Sequence, residues 1–382
     1  MDKAKNEYTK EKFQRVHVRE ELGEELTRPQ LSYWKDAWLR LAKNKGAIGG
    51  LVVILFIVAI ALTGPLMNDY SMDDANYDAA YMPPKVKGLS WLGLDGMQTY
   101  EVQGTTVEDA IQRGLDGYEI EEKYVQNTEV IEEPNEGNDN YYKVAMEVDI
   151  YGAKGLDDTY YWFGTDSMGR DLWTRIWKGT QISLYIGVLA AMIDMVIGVL
   201  YGGISGYYGG RTDNIMQRII EVLSGIPNLV IVILMIMLLS PGLLAITIAL
   251  TITGWIGMAR IVRGQVLKLK NQEFVLAART LGANDKRVLM KHLIPNVLSV
   301  IIINTMFTIP SAIFFESFLS FIGLGLQPPD ASLGTLIDTA FDDYRVYPYM
   351  LLFPALIISL LMIGFNILAD GLRDALDPKM RR

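Results

Sequence analysis

The sequence predicts an all-α polytopic membrane protein with six transmembrane helices and a small α+β segment between the first two. About 20 helical residues cross the hydrocarbon core of a bilayer, and four stretches without a charged side chain are long enough to do so: 46–67, 222–259, 293–315 and 346–369. A Ser-Pro-Gly sequence at 240–242 divides the second stretch into two spans. A further candidate at 179–208 is interrupted by Asp194. We therefore expect spans that begin near residues 46, 179, 219, 242, 293 and 347.

Composition excludes several kinds of chemistry. The 382 residues include no cysteine and two histidines, His17 and His292. Disulfides, cysteine-ligated zinc and a histidine-rich metal site are therefore ruled out. No Gly-x-x-x-x-Gly-Lys-Ser/Thr sequence occurs, and no nucleophile has a base nearby in the sequence. We expect a chain that is not an enzyme, binds no cofactor or metal and has no nucleic-acid partner.

Lysine and arginine set the expected orientation, because short loops rich in these residues stay in the cytoplasm. The segment 260–292 has eight basic and two acidic residues, and the tail before Gly46 has eleven basic residues. The segment 321–344 has four aspartates and no basic residue. With six spans, both termini and the basic segment lie on one side, which we predict to be cytoplasmic. The first apolar run begins too late for a cleaved signal peptide and is expected to remain as an anchor.

The pattern divides the chain into five parts. They are a cytoplasmic tail, a first transmembrane helix, an acidic extracytoplasmic insert, a core with spans two to six, and a second cytoplasmic tail, with bounds 1–45, 46–67, 68–163, 164–372 and 373–382. Much of the first tail is expected to be mobile, except for an interfacial helix at 30–45. This helix is predicted because apolar residues recur on one face at helical spacing: Leu31, Trp34, Trp38 and Leu41. The alternative is a simple cytoplasmic extension of the first span.

The insert accounts for the acidity of the chain. It carries 21 acidic and 6 basic residues, a net charge of −15, whereas the whole chain has −9. A solvated surface explains this charge, and the alternative of a calcium site lacks the EF-hand spacing at 132–140. Thr105 or Thr106 can cap a helix, and the segment 141–152 alternates like a strand. We expect a small α+β fold with two or three strands and one helix.

A polar stretch, FGTDSMGRDLWTRIWKGTQISL, precedes the second span. Gly164 and Gly169 permit turns, and Asp166 can cap a helix. Asp171 and Arg175 have the i, i+4 spacing of an ion pair on a helix. We interpret the stretch as a surface ion-pair helix that begins the core, with direct contact to a substrate as the alternative.

A second polar stretch, EFVLAARTLGANDKRVLMKHLIPN, lies between the fourth and fifth spans. Strong helix formers run from Glu273 to Leu281, and Gly282 permits a turn that a side chain would resist. Asp285 can cap a second helix, and Pro295 suits the first turn of the fifth span, where a missing N–H costs little. A rigid, basic, helical projection between two spans predicts a docking element for a soluble partner.

At these residues the chain resembles the permease subunits of bacterial ATP-binding cassette (ABC) importers, in their oligopeptide and dipeptide branch. The cytoplasmic signature of these permeases is Glu-Ala-Ala, three residues, Gly, nine residues, Ile, one residue, Leu-Pro. Four positions fall in register: Ala277, Ala278, Gly282 and Pro295. Three depart from it: Leu276, His292 and Ile294. The peptide branch often has its acid three residues earlier, where this chain has Glu273.

The stretch before the second span carries the other part of the resemblance. It is similar to the Gly-Thr-Asp and Gly-Arg-Asp sequence of dipeptide and oligopeptide permeases, with matching residues Gly164, Thr165, Asp166, Gly169, Arg170 and Asp171. Together the matching segments cover about three quarters of the chain and exclude most of the insert. Among these permeases, the resemblance points to the C-type subunit of the oligopeptide importers.

The resemblance implies the type I permease fold of ABC importers, in a multi-pass protein of the bacterial cytoplasmic membrane. It implies that the chain carries oligopeptides across the bilayer together with a second permease. A coupling loop at 263–292 would dock on an ATP-binding subunit through the helix at 273–291. The complex would have two such subunits, which hold ATP and magnesium. An extracytoplasmic peptide-binding protein would deliver the peptide.

Two acids within the predicted spans have open roles. Asp194 either lines the pathway or pairs with a neighbouring helix or the partner subunit, and we favour the pairing. Glu316 follows Pro310 near the outer end of the fifth span, where it faces the pathway or is buried.

Three other classes of protein compete with a permease. A secondary transporter would have similar spans and buried acids but no need for the projecting helix. A membrane enzyme would need catalytic residues, and a sensor would explain the insert but not the basic loop.

Overall fold

The protein is described by a computed structural model, which covers residues 32–377 except 136, 138, 139, 241 and 329. The sequence predictions for the first tail up to Leu31, for Pro241 and for 378–382 lie outside the described residues. Thirteen α-helices occur in the part of the chain described: α1 Tyr33–Lys43, α2 Lys45–Thr63, α3 Val107–Tyr118, α4 Ile150–Ala153, α5 Leu172–Tyr208, α6 Gly210–Ser224, α7 Asn228–Leu239, α8 Leu243–Leu269, α9 Glu273–Thr280, α10 Asp285–Arg287, α11 Ile294–Leu319, α12 Leu333–Phe341 and α13 Pro348–Leu376. Three strands accompany them: β1 Met97–Gly104, β2 Val125–Glu132 and β3 Tyr142–Asp149.

Five helical segments of the described chain are long and apolar enough to cross a membrane. They are Lys45–Leu66, Leu172–Tyr208, Leu243–Leu269, Asp285–Leu324 and Pro348–Leu376. The predicted third span is a bent pair instead, in which α6 and α7 meet at 80°. The break falls at Pro227, because proline lacks an N–H and keeps the preceding residue out of the helical conformation. At about 18 Å, α7 alone is shorter than the hydrocarbon core, so the predicted third span is formed by the bent pair, which would make six spans in the described chain.

Two other span boundaries differ from the prediction. The helix α5 begins at Leu172 rather than near residue 179, and at about 55 Å it is longer than a bilayer core of about 30 Å. The fifth span, expected to begin near residue 293, continues from the helix before it. Pro295 lies in the first turn of α11, as predicted. The π-helical turn Val288–Leu293 joins α10 to α11 without a break, so the second part of the docking segment, from Asp285 onward, and the fifth span form one continuous helix.

Small residues bring the long helices close together. Gly198, Gly202 and Gly206 recur every fourth residue on the side of α5 that faces α8, and a Cβ on Gly202 would collide with the Ala259 carbonyl. This row of glycines therefore forms a packing surface between α5 and α8. On the other side of the bundle, a Cβ on Gly50 of α2 would lie 2.7 Å from the Gly364 carbonyl oxygen of α13.

The helix α1 is separate from the first span. Asn44 between α1 and α2 has an extended backbone, and its side chain caps α2 by accepting a hydrogen bond from the Ala47 N–H at 3.2 Å. The alternative of a straight extension is therefore wrong. Leu41 is buried against α13, whereas Trp34 and Trp38 are about half exposed. Exposed tryptophans beside a span are typical of a helix that lies at the membrane surface.

The insert has the predicted α+β fold. Its antiparallel sheet has the order β1-β3-β2, and α3 packs on β1 and β3. Thr106, rather than Thr105, caps α3 by accepting from the Asp109 N–H at 3.1 Å. Its hydrophobic core also contains Met82 and Tyr161, which lie outside the sheet. The insert is therefore rooted in the segments that connect it to the bundle.

The long helices separate two ends of the molecule. The insert lies at the end where α5 and α13 begin, and Gln98 donates from its Nε2 to the Val346 carbonyl at 3.3 Å there. The helix α9 lies at the opposite end, where Lys270 donates to the Gly206 carbonyl near the end of α5 at 2.9 Å. One end of the bundle is thus acidic and folded as α+β, and the other is basic and helical.

Candidate functional site

The Gly-Thr-Asp sequence before α5 fastens the insert to the bundle. The Thr165 hydroxyl donates to the Ala79 carbonyl at 2.5 Å and accepts from the Met82 N–H at 2.8 Å. Gly164 leaves room for the Met82 carbonyl, which would lie 2.5 Å from a Cβ at this position. A side chain on Gly169 would collide with the Asn76 carbonyl, and its φ of +70° also favours glycine.

A buried ion cluster follows in the same sequence. The Asp166 carboxylate accepts from the Arg170 N–H at 3.0 Å and from Arg170 Nε at 2.8 Å, and it lies 3.5 Å from Arg175 Nε. All three side chains are at least nine-tenths buried. The predicted surface pair between Asp171 and Arg175 is therefore wrong in both partner and exposure. Arg175 instead pairs with Asp166 and donates to the Met72 carbonyl at 3.0 Å.

Asp171, and not Asp166, caps a helix. Its carboxylate accepts from the Thr174 N–H at 2.8 Å and from Asn68 Nδ2 at 2.9 Å, which closes the first turn of α5 onto the end of the first span. Burial raises the pKa of Asp171. The six matching residues of this sequence thus have structural contacts within the chain, and their burial leaves little surface for a substrate.

The helix α9 is anchored at one point and exposed elsewhere. Val275 is fully buried in a cluster that includes Tyr207, Val288 and Leu293. Of the predicted docking residues, Glu273, Ala277, Gly282 and Pro295 are exposed and Ala278 is half-buried. Gly282 has a φ of +83°, in the left-handed region that a β-branched residue avoids. The turn after α9 therefore depends on glycine at this position.

Polar contacts fix α9 against the end of α5. Asn284 caps α10 by accepting from the Arg287 N–H at 2.9 Å, so the predicted cap at Asp285 is wrong. Asp285 instead accepts from the Tyr207 hydroxyl at 2.6 Å, and the Arg279 guanidinium stacks 4.9 Å from the Tyr207 ring centroid. These contacts make the projection rigid, which a docking element that transmits force requires.

The sequence did not reveal a second link at this end. Arg263 of α8 donates twice to Asp213 of α6, with both distances 2.6 Å, and the Ser205 hydroxyl of α5 donates to the same carboxylate at 2.5 Å. Three helices are thereby joined beside α9. The two charged residues are 50 positions apart in the sequence, so their spacing gave no sign of the contact.

The outer surface of the projection is apolar with a basic border. Phe274, Leu276 and Leu281 are exposed, and Leu281 is 88% exposed. The exposed basic residues beside them are Lys286, Arg287 and Lys291. An exposed apolar patch with a charged rim is the usual composition of a protein-binding surface.

Asp194 lies in a cleft between α5, α7, α8 and α11. The cleft has a volume of about 410 Å³, and its polar lining consists of Asp194, Asn228, Asn304, Thr308 and Ser311. The favoured pairing of Asp194 with a neighbouring helix does not occur among the described residues, because its buried Oδ1 has no hydrogen-bond partner there.

Glu316 has the opposite environment. It is fully buried, and its carboxylate accepts from the hydroxyls of Ser320 at 2.8 Å and Ser183 at 3.3 Å. The Ser183 hydroxyl also accepts from the Leu333 N–H at 3.2 Å, at the start of α12. Glu316 is therefore placed in a polar junction of α5, α11 and α12 and not in the cleft.

A bundle of long apolar helices, with a basic helical projection at one end, defines a multi-pass membrane protein. Comparison with known proteins gives the family. The profile described as binding-protein-dependent transport system inner membrane component matches residues 198–382. A second profile, the N-terminal TM domain of oligopeptide transport permease C, matches residues 32–84.

Curated relatives match along almost the whole chain. The dipeptide transport system permease protein DppC of Bacillus subtilis is 42% identical over 94% of this chain and 90% of its own length. The oligopeptide permease protein OppC of the same organism is 40% identical over 94% of both chains. OppC of Escherichia coli is 33% identical over 95% of this chain and 96% of its own. The chain belongs to the family of binding-protein-dependent inner membrane transport components, among its DppC and OppC permeases.

Proposed function

We propose that the chain is one of two permease subunits of an importer that uses ATP to carry oligopeptides across the bacterial cytoplasmic membrane. The observation that carries the proposal is the rigid projection of α9, with its exposed apolar patch, at the basic end of the bundle. Chain-wide similarity to peptide permeases supports the same function. Both dipeptide and oligopeptide permeases are among the relatives. The preference for oligopeptides over dipeptides is therefore tested separately, with peptides of different length.

The projection docks, in this proposal, in a groove of an ATP-binding subunit. Two such subunits hold ATP and magnesium, and closure of their dimer moves α9 as a rigid body. Because Val275 and the contacts of Tyr207 join α9 to α5, α8 and α11, the movement passes to the long helices. The basic end would then lie in the cytoplasm, together with both termini, in agreement with the charge bias.

The acidic insert lies on the opposite, extracytoplasmic side in this proposal. Its net charge of −15 disfavours contact with an anionic membrane surface. The insert contacts the segments just before α5 and α13, so it lies beside the outer ends of these helices. We propose that it recognises the peptide-binding protein or the second permease. A cysteine introduced at the exposed Gln126 of β2 would report this side by its reaction with an impermeant maleimide.

The test of the function is uptake by a reconstituted complex. Proteoliposomes would contain this chain, a second permease, two ATP-binding subunits and a binding protein on the substrate side. We expect accumulation of labelled peptide that requires ATP hydrolysis, with peptides longer than two residues preferred over dipeptides in a length series. Uptake driven by a proton gradient without ATP would contradict the importer and favour a secondary transporter.

A further inference from the structure

The cleft around Asp194 has the composition of a site for a small polar cation. Asn304, Thr308 and Ser311 follow each other at spacings of four and three, so α11 presents a polar stripe to the cleft. Asp194 contributes the acidic group from α5, and Phe307 and Phe315 add aromatic walls. No lysine or arginine is among the described residues that line the cleft.

Asp194 is unusual because it is buried without a partner. The side chain is 6% exposed, and its Oδ1 finds no hydrogen-bond donor in the described part of the chain. It packs against Gly254 of α8, where any Cβ would collide with the carboxylate. A buried carboxylate without a partner is costly, and one within a membrane span marks a functional site by default.

Glu316, another buried acid of the bundle, gives the contrast. Glu316 is surrounded by serine hydroxyls that satisfy its carboxylate, so its polar needs are met within the chain. Asp194 lies on a cleft large enough for a small molecular group and has no such donors. The two acids therefore have different roles, and only Asp194 has unused capacity to bind a ligand.

We propose that this cleft is a subsite of the transport pathway that binds the cationic group of the peptide, its amino-terminal ammonium. An ammonium offers three N–H donors. The Asp194 Oδ1 is an acceptor without a donor in the described part of the chain, so an ammonium could supply the missing hydrogen bond. Asn304 adds a second acceptor, because its Nδ2 already donates to the Val300 carbonyl at 2.7 Å and leaves the side-chain oxygen free. The inference rests on the proposed function and names the part of the substrate that this chain recognises.

The test is a double-mutant cycle between the side chain and the ligand. Binding of a tetrapeptide with a fluorescent label at its carboxyl end would be measured by anisotropy, on the purified complex of both permeases and ATP-binding subunits without the binding protein. Asp194→Asn keeps the shape of the side chain and removes the charge. We expect roughly tenfold weaker binding of the free peptide, the effect of losing one hydrogen bond to a charged group. Acetylation of the peptide's amino terminus should weaken binding to the wild-type complex by the same factor as the substitution. It should not weaken binding to the Asp194→Asn complex any further.

Controls separate the alternatives. Asp330→Asn removes an exposed acid and should leave binding and its sensitivity to acetylation unchanged. An acetylated peptide that contains one lysine tests whether a side-chain ammonium can replace the amino-terminal one. If this peptide binds as tightly as the free peptide, the site accepts any cationic group of a peptide. Wild-type affinity for the free peptide in Asp194→Asn, equal effects of acetylation in both proteins, or no measurable wild-type binding would each overturn the proposal. Dissociation of the permeases in Asp194→Asn would also overturn it, by assigning the carboxylate to a subunit contact.

The uptake and binding measurements distinguish failure of the subsite from failure of the proposed function. If the reconstituted wild-type complex takes up peptide with ATP but its binding is insensitive to acetylation, only the subsite is wrong. If the complex shows no ATP-dependent uptake, the function itself is wrong.

Discussion

Gly282→Val is expected to lower ATP-driven peptide uptake roughly tenfold or more while the protein still inserts into the membrane. Gly282 has a φ of +83°, and a Cβ at this position would meet no atom within 4 Å. The Cβ itself is therefore not crowded, and the expected effect comes from backbone strain of about 1–3 kcal/mol. A strain of this size changes the population of the native turn about tenfold or more, which turns α9 away from its docking position.

The control for this variant is Gly282→Asn. Asparagine tolerates the left-handed conformation better than other residues with a side chain, so this variant should keep most of the uptake. The measurement is the uptake rate in proteoliposomes at equal amounts of inserted protein. Uptake by Gly282→Val at the wild-type rate would contradict the role assigned to the turn.

Asp166→Ala is expected to destabilise the protein by about 3–5 kcal/mol, because it leaves two buried arginines without their common carboxylate. Arg170 and Arg175 are both at least nine-tenths buried, so water cannot replace the lost partner. The same change removes the acceptor of two backbone N–H groups, those of Met168 and Arg170. We expect a large fall in the thermal unfolding midpoint in detergent and in the amount of protein in the membrane.

The matched control removes an exposed acid that also pairs with an arginine. Glu221 lies 2.6 Å from Arg218, and both side chains are more than half exposed. Exposed pairs contribute about 0–1 kcal/mol, so Glu221→Ala should leave the midpoint nearly unchanged. A midpoint for Asp166→Ala as high as that of Glu221→Ala would mean that the buried cluster does not hold this region together.

Periodic and compositional features of the chain were predictable. The charge-free runs predicted the long helices, and the alternation of 141–152 with the threonines before α3 predicted the α+β insert. These signals depend on local sequence alone. The length of an apolar run can be compared with the thickness of a bilayer, and alternation of side chains indicates a strand, without knowledge of the tertiary fold. Pro227 also signals a helix break in the sequence, but it lies within the charge-free run 222–259, which favoured an uninterrupted span.

Pairings between distant residues were not predictable in the same way. Local spacing suggested Asp171 and Arg175 as partners, whereas the fold places Arg175 beside Asp166 and uses Asp171 as a helix cap. The contact between Asp213 and Arg263 depends on how α6 folds back against α8. The unpaired state of Asp194 depends on which helices surround it. A tertiary fold decides each of these, because many carboxylates and arginines in the chain could satisfy the same local pattern.

Docking of α9 on an ATP-binding subunit in the cytoplasm can be tested by site-specific labelling and cross-linking. The chain has no cysteine, so Leu281→Cys, at the most exposed apolar position of the projection, carries a unique thiol. We predict that it reacts with an impermeant maleimide only after cells are permeabilised, and that a short bis-maleimide joins it to a cysteine in the groove of the ATP-binding subunit. Gln126→Cys in the insert should instead react in intact cells and give no such product. Labelling of Leu281→Cys in intact cells, or its failure to cross-link in an assembled complex, would mean that α9 is not a cytoplasmic docking element.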